Sequence, residues 1–280
     1  MGGIFGAFNN YSKPGPGVRK DAPRKKGVFL FMELLGRKFG AYVKLNLTYM
    51  ITCIPAFAVV LHIIYSMLIE FAKPVQEEYA VLFLMAGIAS AFLTLTFGLS
   101  PFSAGYYYIL KNYSEEMHAW VFSDFFEKFR KNIRQSLLTF VIDLIALCVA
   151  LFSLRLYFIM MLTGFGAMLT IPAVVLILVL VVYSLMTPYK WTMIVTIDLK
   201  LKHIYKNSLL LTLGEVKRTF FLLVASVVYF GVLGFALYSA TIVGVILFLL
   251  IGYSAYGLIQ QINLYPVIKK HLILTQGELE

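Results

Sequence analysis

Long apolar runs alternate with short charged stretches along this chain, and the alternation predicts its elements. Crossing a hydrocarbon core of about 30 Å takes roughly 20 residues of helix. Apolar runs of that order occur at about 45–69, 80–108, 136–160, 165–187, 219–239 and 241–264. Six transmembrane helices follow. Two divisions carry that count: Thr163-Gly164 must turn the chain between spans three and four, and Tyr238-Ser239-Ala240-Thr241 between spans five and six.

The stretch SDFFEKFRKNIRQS, residues 123–136, follows another pattern. At 3.6 residues per turn, Phe122, Phe125, Phe126, Phe129 and Ile133 form one stripe, and Asp124, Glu127, Lys128, Arg130, Lys131 and Arg134 take the opposite face. This predicts an amphipathic helix with Ser123 as its cap, acids first and bases last, as the helix dipole favours.

Lys and Arg accumulate in cytoplasmic loops. Nine precede span one, five lie between spans two and three, six between spans four and five, and two end the chain, so 22 of 24 fall on one side. Both termini are therefore expected in the cytoplasm, with the 123–136 helix on the cytoplasmic face. Its bases, Lys128, Arg130, Lys131 and Arg134, would face anionic lipid headgroups or a partner protein, and Phe125, Phe126 and Phe129 the headgroup region or the bundle. The expected organisation is an extended arm over 1–26, a membrane domain over 27–270 and a short tail over 271–280.

The composition agrees. The chain has 280 residues, 60% of them hydrophobic and 14% charged, with 24 Phe and 18 Tyr, more than a water-facing surface of this size tolerates. The net charge of +10 sits between apolar runs, as membrane topology requires, and no nucleic-acid-binding module is readable. Cys53 and Cys148 fall inside apolar runs and read as packing residues, neither a disulfide nor a metal site. The first 26 residues lack the apolar core and cleavage site of a signal peptide, and Gly6 stands where a myristoylation motif wants Ser or Thr.

A weak internal repeat is also present. Residues 33–51, ELLGRKFGAYVKLNLTYMI, superpose without a gap on 124–142, DFFEKFRKNIRQSLLTFVI, and 204–222 follows more loosely. The chain reads as three copies of a basic amphipathic helix leading into a two-span hairpin, or simply as three cytoplasmic helices approaching a membrane in the usual way.

Asp143 is the one acid well inside an apolar run, about seven residues or roughly 10 Å beyond Ser136. Such a group costs about 2.5 to 3.5 kcal/mol on insertion scales, so it should face the bundle. Two readings stand. It contacts an ion, proton or substrate, or it makes a helix-to-helix hydrogen bond with Asn46, Thr48, Gln260 or Gln261 at similar depth. A lone His62 reads as packing, and Glu70 and Arg155 as interfacial groups. Pro55, Pro101 and Pro172 fall within or at the ends of spans; Gly98 and Pro101 should break the helix as Tyr106, Tyr107 and Tyr108 approach the interface. Gly231 and Gly234, with Ala86, Gly87, Ser90 and Ala91, read as sites of close helix approach. No phosphate-binding glycine loop, zinc-protease helix, nucleophile elbow or paired intramembrane carboxylates occur in the sequence, which argues against an enzyme and implies no cofactor or metal.

The stretches GPGVRKDAP, RKFGAYVKLNLTYMITCIP, GLSPFSAGYYYILKNYSEEMHAWVFSDFFEKFRKN and IYKNSLLLTLGEVKRTFFLLV resemble the YesL family of bacterial membrane proteins, a domain of unknown function, over about Gly15 to Lys270. The separation between Ile54-Pro55 and the Gly98 to Pro101 motif is longer here than in shorter members. The resemblance implies a multi-pass protein of the bacterial cytoplasmic membrane, encoded beside carbohydrate ABC importers and polysaccharide-degrading enzymes. Two functions of different class are then expected: an accessory component meeting importer permease or solute-binding subunits, or a self-contained transporter or channel with Asp143 in its path. A water-accessible polar cavity around Asp143 would mark the transporter, and dry packing the accessory bundle.

Overall fold

The computed structural model describes Lys25 and residues 27–71, 100–160 and 166–273. All regular structure among these residues is helical: α1 Gly27–Arg37, α2 Phe39–Phe71, α3 Ser103–Ser114, α4 Val121–Lys131, α5 Ile133–Met160, α6 Thr170–Thr196, α7 Leu201–Gly214, α8 Val216–Ser239 and α9 Thr241–Ile268. A 3-10 turn at Gly166–Leu169 precedes α6, and a wider π-type turn extends α9 to Ile273. Four helices are long and apolar enough to cross a membrane: Ile133–Tyr157, Thr170–Thr196, Val216–Ser239 and Thr241–Ile273. The chain is thus an all-helical, membrane-type bundle, and four such helices, short of the expected six, are found among the described residues. Span one falls within α2. Most of span two, the Thr163-Gly164 turn, Gly98 and the small residues of 86–91 lie outside the described residues, as do most of the N-terminal arm, the end of the tail and the side chains of His62 and Glu70.

Three times a short helix meets a long one across a single residue. Lys38 separates α1 from α2, Asn132 α4 from α5, and Glu215 α7 from α8. Each elbow residue's carbonyl starts the long helix, as in Ala41 N–H to Lys38, Ser136 N–H to Asn132 and Thr219 N–H to Glu215. The Asn132 amide also donates to the Lys128 carbonyl (2.9 Å), occupying one of the acceptors a helix end leaves open. This corrects the expected single helix over 123–136: α4 stops at Lys131, and Ile133 and Arg134 begin α5. Ser123 is not the cap. Trp120 is, and Asp124 reaches back to accept its N–H at 2.9 Å.

The elbows expose a repeat that the ungapped superposition misplaces. Elbow positions 38 and 132 set the units 94 residues apart, where 33–51 over 124–142 sets them 91 apart. Counted from the elbows, the fourth, seventh, eleventh and fifteenth residues face inward in each unit: Tyr42, Leu45, Tyr49 and Cys53; Ser136, Thr139, Asp143 and Leu147; half-buried Thr219, then Leu222, Ser226 and Phe230. That spacing is one face of a helix.

The last helices of the three units, α3, α6 and α9, pack against one another, and α2, α5 and α8 pack against them. Close approach is set by Gly105, where a Cβ would strike the Phe125 backbone; by Gly244, against Leu237; and by Gly257, against Tyr106. Gly231 and Gly234 are not close-approach points among the described residues, since a Cβ at either would meet none of their atoms within 4 Å. Tyr106 and Tyr107 are not interfacial either. Both are buried, donating to the Tyr253 carbonyl (2.5 Å) and Gln260 Oε1 (3.0 Å), and only Tyr108 is partly exposed. Both cysteines are free thiols.

Candidate functional site

The eleventh residue after each elbow lies on the long helix and reaches its own unit's last helix. Tyr49 shares a hydrogen bond with Ser103 (3.0 Å), and Ser226 with Tyr256 (2.7 Å). Asp143 does the same with a charge: its Oδ1 accepts from Lys190 Nζ at 2.6 Å. The site is therefore an ionic version of a link the fold makes three times.

Lys190 lies on α6 with Tyr183 two helical turns before it on the same face. The Tyr183 hydroxyl donates to Asp143 Oδ1 at 2.6 Å, and the Tyr205 hydroxyl, from α7, adds a third bond at 3.1 Å. The Lys190 ammonium stands 4.2 Å from the Tyr183 ring centroid and 4.9 Å from that of Tyr205. Neither member of the pair has side-chain exposure, at 0% each. Taking two charges out of water costs several kcal/mol per ion and is recovered only with good geometry and further partners. Here three donors on one oxygen and two rings beside the ammonium supply them. Burial and then the Asp143 charge push the Tyr205 hydroxyl well above its usual range, so it stays protonated and donates. Asp143 Oδ2 is buried with no hydrogen-bond partner among the described residues.

The structure separates the residues expected around Asp143. Thr48 bonds the Lys44 carbonyl, Gln260 accepts from Tyr107, and Gln261 donates to Thr192 Oγ1 at 2.8 Å, tying α9 to α6. Asn46 opens α9. Its Nδ2 donates to the Phe248 and Leu249 carbonyls (3.0 and 2.7 Å), and its Oδ1 accepts from the Tyr253 and Ser254 N–H groups (2.7 and 3.0 Å). One side chain thus serves four backbone groups that a helix inside a membrane cannot leave unpaired. The partners of Asp143 are not legible in the sequence, where Lys190 counts as a cytoplasmic base beyond span four. One signal was present: the apolar run resumes past it as Trp191, Met193, Ile194 and Val195, which a helix ending at residue 187 leaves unexplained.

The expected lipid or partner surface divides in two. Phe125 is fully buried, packed with Phe129 and Phe126 around Phe102, at centroid distances of 6.1, 4.1 and 5.8 Å. Lys128 turns inward over Tyr108. Phe122, Phe126, Arg130, Lys131 and Arg134 are exposed. Cavities open elsewhere. An apolar groove of about 660 Å³ runs between α1, α8 and α9, and another of about 770 Å³ lies between the first elbow and the start of α4; neither is lined by Asp143 or Lys190. Among the described residues no group of His, Cys, Asp and Glu is placed to hold a metal.

Comparison with protein-family models, with curated proteins and with solved structures gives no match.

Proposed function

We propose that this chain is a six-span protein of the bacterial cytoplasmic membrane, with both termini cytoplasmic, acting as a non-enzymatic accessory component of a carbohydrate ABC import system. The resemblance to the YesL family suggests the company it keeps. The observation that carries the choice of class is the closure of the Asp143 site. Its carboxylate and the Lys190 ammonium have no exposure, and among the described residues their partners come from α5, α6 and α7. A solute path at that depth needs a water-lined cavity. Placing Asp143 at the position that holds the other two units together favours a binding role between helices over a route for cargo. The alternating Lys and Arg distribution supports the topology, and α2 together with 80–108 would supply the two further spans.

A self-contained transporter with Asp143 in its path is the competing reading, and what favours it is that Oδ2 has no hydrogen-bond partner among the described residues. Gentle purification of the tagged protein from its native membranes, with mass spectrometry of what accompanies it, separates the two. Stoichiometric permease and solute-binding subunits support the accessory role. If the protein emerges alone and Asp143→Asn abolishes uptake of a solute, the accessory role is wrong.

A further inference from the structure

Three lysines from three separate segments lie around Tyr108, Tyr265 and Glu115, where the C-terminal part of α3 meets α4 and α9. Lys111 is half-buried on α3, its ammonium 5.7 Å from the Tyr108 ring centroid and 5.4 Å from that of Tyr265 on α9. Among the described residues no carboxylate lies within ion-pair distance of it. Lys128 of α4 sits over the other side of this arrangement, 4.6 Å from the same Tyr108 ring, with its side chain only 21% exposed. Lys269, just past α9, is 3.6 Å from Glu115.

Among the described residues two carboxylates accompany the three ammoniums. Glu127 neighbours Lys128 in sequence at 3.3 Å but is largely exposed, which leaves Glu115 as the shielded one. Burial lowers the Lys111 pKa; Glu115 opposes that, and Lys128 and Lys269 add to it. Ring faces offset part of the desolvation of an ammonium but accept no hydrogen bond from it in the ordinary sense.

We propose that Lys111, Lys128 and Lys269 form a binding site for a phosphate-bearing anion. Compact ammonium donors arriving from three directions suit a tetrahedral, multiply charged group, whereas the planar fork that matches a carboxylate is the property of arginine. The phosphate can belong to an anionic lipid headgroup at the membrane surface or to a small soluble molecule. This inference stands independently of any association with an importer.

The test is chemical protection of Lys111. The full chain in phosphate-free maltoside is treated with an amine-acylating reagent, and labelling is quantified by mass spectrometry without additive, with inorganic phosphate, with phosphatidylglycerol and with phosphatidylcholine. Labelling of Lys111 should fall about tenfold when the anion stands at roughly ten times its Kd, while labelling of exposed Lys202 on α7 stays constant. Protection by phosphate identifies a soluble source, and protection by phosphatidylglycerol alone identifies the headgroup. Equal labelling in all arms overturns the site. In Lys128→Met and Lys269→Met, each checked for a monodisperse fold, protection should weaken; undiminished protection in both would overturn the three-lysine assignment.

Discussion

Removing one member of the Asp143–Lys190 pair is the most direct probe of what holds α5 to α6. In Lys190→Met the carboxylate keeps two tyrosine donors but loses its counter-ion in a place with no exposure. Leaving one half of a buried pair uncompensated costs about 3–5 kcal/mol. In Asp143→Asn the ammonium is stranded instead, beside two rings and an amide oxygen, with a loss of the same order. The double variant Asp143→Asn/Lys190→Met strands neither charge. It should recover a coupling of about 2 kcal/mol or more, well above the roughly 0.6 kcal/mol typical of neutral hydrogen bonds between membrane helices. A double-mutant cycle of reversible unfolding in mixed detergent micelles measures this. Insertion is a separate readout. One carboxylate costs about 2.5–3.5 kcal/mol on insertion scales, and the long apolar face of Ile133–Tyr157 already carries it in the native chain, so Asp143→Asn should insert normally. Additive losses in the cycle, or failure of Asp143→Asn to insert, would refute the reasoning.

Further outcomes follow from other parts of the fold. Asn46→Leu removes the side-chain bonds to four backbone groups of α9, and a loss of about 2–4 kcal/mol with faster hydrogen exchange at Tyr253 and Ser254 is expected; unchanged exchange would show that those groups do not depend on Asn46. Gly105→Leu drives a side chain into the Phe125 backbone and should lower stability by about 2 kcal/mol or more, whereas a neutral result in thermal unfolding would mean α3 and α4 are farther apart than described. Glu215 is held below the usual carboxylate range, chiefly by its hydrogen bond with His271 at 2.9 Å, so the stabilisation it contributes is present above the ordinary glutamate pKa and is lost as pH falls through the lowered value. His271→Ala should move the Glu215 titration, followed by carbonyl-labelled NMR, back toward the ordinary value. In single-tryptophan variants, exposed Trp120 should be quenched by headgroup-level brominated lipid or aqueous iodide, and fully buried Trp191 by neither.

Some of this architecture was written in the order of residues. Apolar runs long enough to span a bilayer can fold in lipid only as helices or closed barrels, because every backbone group must be satisfied internally, and helical runs of that length foretold α5, α6, α8 and α9. The turn at residues 238–241 was legible from its small polar residues. So was the amphipathic face of α4. Asp143 drew attention by itself, since a lone carboxylate in an apolar run has to find company.

Which company it finds was a tertiary decision. Lys190 sits after Thr187-Pro188, where an apolar run stops and bases normally begin, and hydropathy cannot distinguish a lysine in water from one paired in a bundle. Only the packing of α5 against α6, with α7 folded beside them, brings an ammonium and two phenols to one carboxylate oxygen. The same holds for Asn46, whose role exists only because α9 passes within reach of it, and for the tyrosines at 106 and 107, which period and polarity alone would leave at the membrane surface. Residue identity along one chain fixed which segments avoid water; the meeting of segments distant in sequence decided which buried polar groups satisfy one another, because that depends on distances of a few ångströms that no local pattern records.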